Sequence, residues 1–335
     1  MGLMERQSIL NHSRRILPAV GGGGDEGGGG GGFGPANAYF YVTNGTVVVL
    51  DPDGNQISAA SHPPNEQYSV QVLGMAVDPD ANLYTALIDN TVRKHDPDGN
   101  ELWSQEYGMY SYHDALSVCV DPDGHVYSGW GDGYVRKHGP DGSLVWEVQP
   151  GGFTGIWSVV VDDAHVYTGA SDDTVRKLSK VDGSPVWVFS GHTGTVNRVA
   201  IDTAGNVHTA SSDGTSRKID PDGNQLWSYA DYVGSLYAVD VDTAGNIYIG
   251  GTGGEVFKLG AGGSKIWEFT QHTGDINYLA VDPDANLYTA CTDDTSRKLD
   301  SDGNELWVHD WAGDSAQRIA ILPGTLAAFP DLWTQ

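Results

Sequence analysis

The chain has 335 residues, with 44 Asp and Glu against 18 Lys and Arg and a formal net charge of −26. That balance argues against nucleic acid as a partner, because phosphate binding needs a basic stripe. The 2 cysteines imply no disulfide or metal framework, and no apolar run reaches the length of a membrane span.

In chain order, residues 1–20 (MGLMERQSILNHSRRILPAV) stand apart as a short basic arm, with Arg6, Arg14 and Arg15 against Glu5 alone. A glycine-rich linker, residues 21–37, follows and cannot form a core. Its glycine run would span roughly 20 Å as a flexible coil and about 48 Å at full stretch. The arm reads as a peg on a tether, a docking segment for protein partners in a larger assembly. Ser13-Arg14-Arg15 resembles a twin-arginine export signal, but only Ile16 to Val20 follow where an apolar run of about 7 to 15 residues is required. No signal peptide is expected.

From residue 38 onward the chain repeats. Trp103, Trp146, Trp187, Trp227, Trp267 and Trp307 follow one another at steps of 43, 41, 40, 40 and 40. The pairs Val77-Asp78, Val120-Asp121, Val161-Asp162, Ile201-Asp202, Val241-Asp242 and Val281-Asp282 keep the same steps. Each unit alternates short β-branched and aromatic runs with Gly, Asp and Asn turn clusters, as in NRVAID, VHTAS, TSRKID and QLWSY between Asn197 and Tyr229. This reads as four strands per repeat of about 40 to 45 residues, the unit of a β-propeller blade. Residues 38–59 hold a second, third and fourth strand without a first, and residues 317–322 (QRIAIL) align with first strands. The expected fold is therefore all-β. It is a seven-bladed β-propeller of four-stranded antiparallel blades over residues 38–322, closed by pairing its N-terminal strands with a C-terminal first strand, and residues 323–335 form a tail.

The repeated residues have structural readings. Burying a tryptophan is worth roughly 4 to 6 kcal/mol before entropy, so the six in register are expected to pack between blades. Each Asp-Pro-Asp-Gly run suits a type I turn followed by a left-handed glycine, and its two carboxylates fall short of a calcium loop. The Arg-Lys pairs on third strands, from Arg93-Lys94 to Arg297-Lys298, are expected to pair with Asp132, Asp173, Asp213 and Asp294 in the preceding turns. Cys119 and Cys291 fall four blades apart and read as separate core residues.

The stretch from Ser190 to Gly223 (SGHTGTVNRVAIDTAGNVHTASSDGTSRKIDPDG) resembles a WD-repeat, with its Gly-His pair, first strand and Asp-Gly turn; the Trp-Asp dipeptide is replaced by Leu-Asp or Ile-Asp. The stretch KLDSDGNELW, from Lys298 to Trp307, is similar to the tryptophan-docking motif of quinoprotein-like (PQQ) propellers. The resemblance implies that His192 and His272 bond within their own blades.

Functional expectations fall on the uneven loops that leave fourth strands, which carry Tyr107, Tyr110, Tyr112, His113, Phe153, Tyr232 and Trp311. Exposed aromatics between carboxylates suit a protein surface or a glycan. No catalytic constellation, metal site or cofactor is expected, which makes the chain a binding protein and not an enzyme. The acidity is 35 Asp to 9 Glu with 8 Lys, a balance similar to that of proteins from salt-loving archaea and their viruses. With the arm and tether, this reads as a virion surface protein, a capsid decoration or tail fibre touching capsid or tail proteins on one side and a host surface on the other. A cytoplasmic scaffold is the alternative, and a quinoprotein-like enzyme a more distant one.

Overall fold

The computed structural model describes residues 38–42, 46–61, 71–97, 99–108 and 113–321, so the basic arm, the linker and the tail lie outside the described residues. The chain is an all-β propeller of four-stranded antiparallel blades. Six blades are each built from four consecutive strands. One of them runs through Val196–Ile201, Val207–Ser211, Ser216–Ile219 and Gln225–Tyr229. In a further sheet, Ala316–Ile321 pairs antiparallel with Ala38–Val42, and Thr46–Leu50 and Gln56–Ser61 follow. First strands of all these sheets line a central cavity.

Turn chemistry sets the strands. At the first hairpin of a blade Asp242 Oδ1 accepts the N–H groups of Ala244 (3.0 Å) and Asn246 (2.8 Å), and Gly245 turns back through φ +79°. The second carboxylate oxygen accepts Asn246 Nδ2–H at 2.8 Å and the Tyr248 hydroxyl at 3.1 Å. Asp78, Asp121 and Asp282 hold Tyr84, Tyr127 and Tyr288 in the same way, and His208 takes the tyrosine's place beside Asp202. Local hydrogen bonds thus consume these carboxylates, as the turn reading expects.

The tryptophans join blade to blade. The Trp146 indole N–H and the Lys137 ammonium both donate to the Lys180 carbonyl in the next blade, each at 3.2 Å. Trp187 and Lys177 converge on Pro221 O (2.9 and 3.0 Å), and Trp267 and Lys258 on Ser301 O (3.1 and 2.8 Å). Trp307 and Lys298 converge on Pro52 O, both at 3.1 Å. The lysines also lie over second-strand tyrosines, as Lys258 does over Tyr248 at 5.0 Å. Each indole lies against a glycine of the turn it caps, and at Gly263, where φ is +86°, an added Cβ would sit 2.9 Å from the Trp227 ring.

The Arg–Asp pairing differs in register from the sequence expectation. Asp132 pairs with Arg136 at 3.2 Å and Asp213 lies 3.9 Å from Arg217, but Arg176 takes Asp172 and not Asp173, at 2.5 Å. Arg297 bonds Glu305 across the sheet, and Asp294 instead accepts the Ser315 hydroxyl at 3.0 Å. The reason is conformational: Asp173 (φ +65°) and Asp294 (φ +63°) occupy the left-handed slot that glycine fills in the Asp-Gly turns. Both cysteines are free, and Cys291 is buried.

Gly262 and Gly263 offer a paired test, because a Cβ on Gly262 would meet nothing within 4 Å. Gly263→Ala should cost about 1–3 kcal/mol in denaturant unfolding, whereas Gly262→Ala should stay within about 0.5 kcal/mol of wild type. Equal effects would contradict the docking geometry.

Candidate binding face

Second-to-third turns and the loops leaving fourth strands share one face. An added Cβ on Gly133 would sit 2.0 Å from Gly152 O, and one on Gly254 would sit 2.6 Å from His272 O. Close backbone contact of this kind makes the face a rigid platform.

Buried histidines pin two of its loops. His192 Nδ1 lies 2.9 Å from Asp213 Oδ2, and its Nε2 lies 2.9 Å from Thr209 Oγ1. His272 repeats this with Asp293 and Thr289, again at 2.9 Å each. Burial would raise the Asp213 and Asp293 carboxyls, but hydrogen bonds from the neighbouring threonines and the histidines hold both far below the usual carboxylate range. Both histidines bond within their own blades, as the WD-repeat resemblance implies.

The aromatic residues expected to be exposed divide sharply. Tyr232 is buried at 5 % exposure, with its hydroxyl 3.0 Å from Thr252 O and 3.1 Å from Glu255 O, so it pins its loop where other blades use histidine. Trp311 is 8 % exposed and donates its indole N–H to Ser296 Oγ at 2.9 Å. Tyr107 packs edge-on against Trp130 and sets its hydroxyl 3.0 Å from His138 Nε2, with the Arg136 guanidinium 4.4 Å from its ring. His113 is half-buried against Gly108, where a Cβ would meet its ring at 2.4 Å. For Tyr232, Trp311 and Tyr107 this corrects the expectation of exposed rings, since each polar tip that looked available for a ligand has a neighbour within the ring of blades. Tyr110 and Tyr112 lie outside the described residues, as do Arg6, Arg14 and Arg15.

Phe153 remains open, at 86 % exposure. Trp157, four residues on, is 42 % exposed and was missed in the sequence. Its signal was arithmetic: of 10 tryptophans only six keep the repeat spacing, and Trp157 is one of the remainder. The loop bearing Phe153 is held at one end by Gln149 Nε2, which donates to Asp132 O at 2.8 Å, and at the other by Gly155 O, which accepts Ser171 N–H at 3.0 Å. Val233 is exposed at 85 % on another loop of this face.

Two groupings among the described residues have metal-ligand spacing: His272, Cys291 and Asp293, and Asp121, Asp123 and His125. In both the central carboxylate is already engaged. Asp293 Oδ2 meets His272 and the Thr273 N–H, and Asp121 Oδ2 meets Tyr127 and the Lys180 ammonium at 3.1 Å.

Blade architecture, docked tryptophans and buried loop histidines define a β-propeller, and two of its segments are similar to known repeat families. A family model described as outer membrane protein assembly factor BamB matches residues 88–230, the blades in which Trp103, Trp146, Trp187 and Trp227 lie. A model of the WD domain, G-beta repeat, matches residues 263–297, the segment holding His272 and Asp293. No curated protein matches the chain.

His95 and His138 generate a pH prediction. Burial first, and then the adjacent Arg93 and Arg136, lower both imidazoles from 6.5 to about 4. The unfolded chain therefore takes up protons before the folded one does, so their contribution is whole above pH 6.5 and is lost as pH falls through about 4. Denaturant unfolding at pH 7 and pH 4.5 should differ by a few kcal/mol, each imidazole losing about 1.4 kcal/mol for every pH step of one below its unfolded titration point. Equal stability at the two pH values would contradict the burial of these rings.

Proposed function

We propose that this propeller is a non-catalytic binding protein whose contact patch centres on Phe153 and Trp157. The observation that carries the reading is Phe153, a phenyl ring 86 % exposed on a loop anchored at both ends. Ordering an exposed aromatic costs little when its backbone is already held, so such residues act as binding anchors. Exposed carboxylates at Asp231 and Asp310 add acidic groups to the face, which suits a polar glycan or a basic protein surface.

The finer reading is a virion surface protein of a salt-loving archaeal virus, a decoration or fibre fixed by the basic arm to capsid or tail proteins. Its support is the sequence: the arm, the tether and an Asp-rich, Lys-poor composition. It takes the ring as seven-bladed and closed through the pairing of Ala38–Val42 with Ala316–Ile321, with Trp307 docked on Pro52 as the other tryptophans dock on their neighbours.

The double variant Phe153→Ser, Trp157→Ser tests the contact patch. Binding of the purified protein to salt-loving archaeal cells, measured by sedimentation in molar salt, should fall at least tenfold, while the melting temperature stays within a few degrees of wild type. Undiminished binding by a folded double variant would sink the proposal.

A further inference from the structure

The loop-face ends of the inner strands carry a feature that the repeat does not explain. In each of the six blades built from four consecutive strands, the first strand bulges at its second residue. Ile156 pairs with Ala170 and Ser158 with Gly169, for example, which leaves Trp157 without a partner across the pair. The residue before the bulge is a fully buried aliphatic every time, Ile156, Val196 and Leu236 among them. The bulged residue follows no such rule: it is Leu73, Leu116, Trp157, Asn197, Tyr237 or Asn277. A bulge re-aims its side chain out of the regular pleat. A strict scaffold thus presents a varied set of side chains where its inner strands meet the loop face.

Trp157, Asn197 and Tyr237 stand on adjacent first strands, Ile156–Val161, Val196–Ile201 and Leu236–Val241. Trp157 is exposed, and its indole N–H has no acceptor among the described residues. The other described tryptophans all donate theirs within the protein. Asn197 Nδ2 donates to Leu236 O at 2.7 Å and to Ser212 Oγ at 2.9 Å. A backbone carbonyl only accepts, so the amide nitrogen must face Leu236 and Oδ1 is the atom left over. Neither Asn197 Oδ1 nor the Tyr237 hydroxyl has a hydrogen-bond partner among the described residues, and neither atom is buried.

We propose that this arc binds a neutral glycan, with a hexose ring stacked on the Trp157 indole and sugar hydroxyls bonded to Asn197 Oδ1 and the Tyr237 hydroxyl. The assignment rests on the contact-patch reading, of which Trp157 is part, and names the ligand class for it. An aromatic face takes the C–H side of a sugar ring, while an amide oxygen and a phenol take its O–H groups. Two hydrogen bonds already hold the Asn197 amide, so little freedom is lost when a ligand arrives. The exposed Asp231, on the loop that leads into the strand of Tyr237, disfavours an acidic sugar.

Saturation-transfer NMR of the full chain with methyl glucoside, methyl mannoside and methyl galactoside, and with glucuronate as the charged comparison, tests the assignment. At least one methyl hexoside should bind saturably, and more tightly than glucuronate. Trp157→Ser should weaken that binding at least tenfold. Tyr237→Phe removes only a hydroxyl, so it should weaken binding about threefold or more while melting stays within a few degrees of wild type. It serves as the test should Trp157→Ser fail to fold. No saturable hexoside binding by wild type, tighter binding of glucuronate, or unchanged affinity in whichever variants fold would each overturn the assignment. Loss of cell binding by the Phe153→Ser, Trp157→Ser variant, with no hexoside bound by wild type, overturns the glycan assignment and leaves the contact patch standing. Hexoside binding that Tyr237→Phe weakens, together with cell binding that survives the double variant, upholds the glycan assignment and removes the contact patch.

Discussion

One contact organises the molecule: an indole N–H and a lysine ammonium from one blade meeting on a single carbonyl in a turn of the next. Trp146 with Lys137, Trp187 with Lys177, Trp267 with Lys258 and Trp307 with Lys298 all make it. A carbonyl has two lone pairs, and the paired donors use both. The arrangement also needs a turn with no Cβ beneath the indole, which is why Gly263 and its counterparts sit there with positive φ. Adjacent blades are thereby set at a fixed spacing, and the first strands are brought round a common cavity.

Because those residues serve the ring, the chemistry left for binding is small and can be located. The Asp of each first hairpin is filled by its own turn, the third-strand arginines Arg93, Arg136, Arg176, Arg217 and Arg297 by carboxylates, and the loop histidines by their Asp and Thr neighbours. What stands outside the repeat is Phe153 and Trp157, open to large partners on the loop face.

The fold was legible in the sequence because the repeat is strict: two markers in lockstep set the blade length, and Asp-Gly turns mark the hairpins. The loop face was legible as a place but not residue by residue. Tyr107, Tyr232 and Trp311 looked like exposed aromatics because sequence shows a ring and a polar tip, not the carbonyl or hydroxyl that tip will find. For Tyr232 that partner is the backbone of Thr252 and Glu255, twenty or more residues away. Asp173 and Asp294 misled for a conformational reason, since in Asp-Asp turns the second aspartate takes the glycine slot and the first does the pairing at Asp172.

Indole hydrogen exchange tests the docking account most directly. With tryptophan side chains labelled with nitrogen-15, the indole N–H groups of Trp103, Trp146, Trp187, Trp227, Trp267 and Trp307, each on a carbonyl of a neighbouring blade, should exchange at least tenfold more slowly than that of the exposed Trp157. Trp307 is the decisive signal, since its acceptor is Pro52 at the far end of the chain. Protection of Trp307 equal to that of the other five is the predicted result, and a Trp307 indole exchanging as fast as Trp157 would contradict the account.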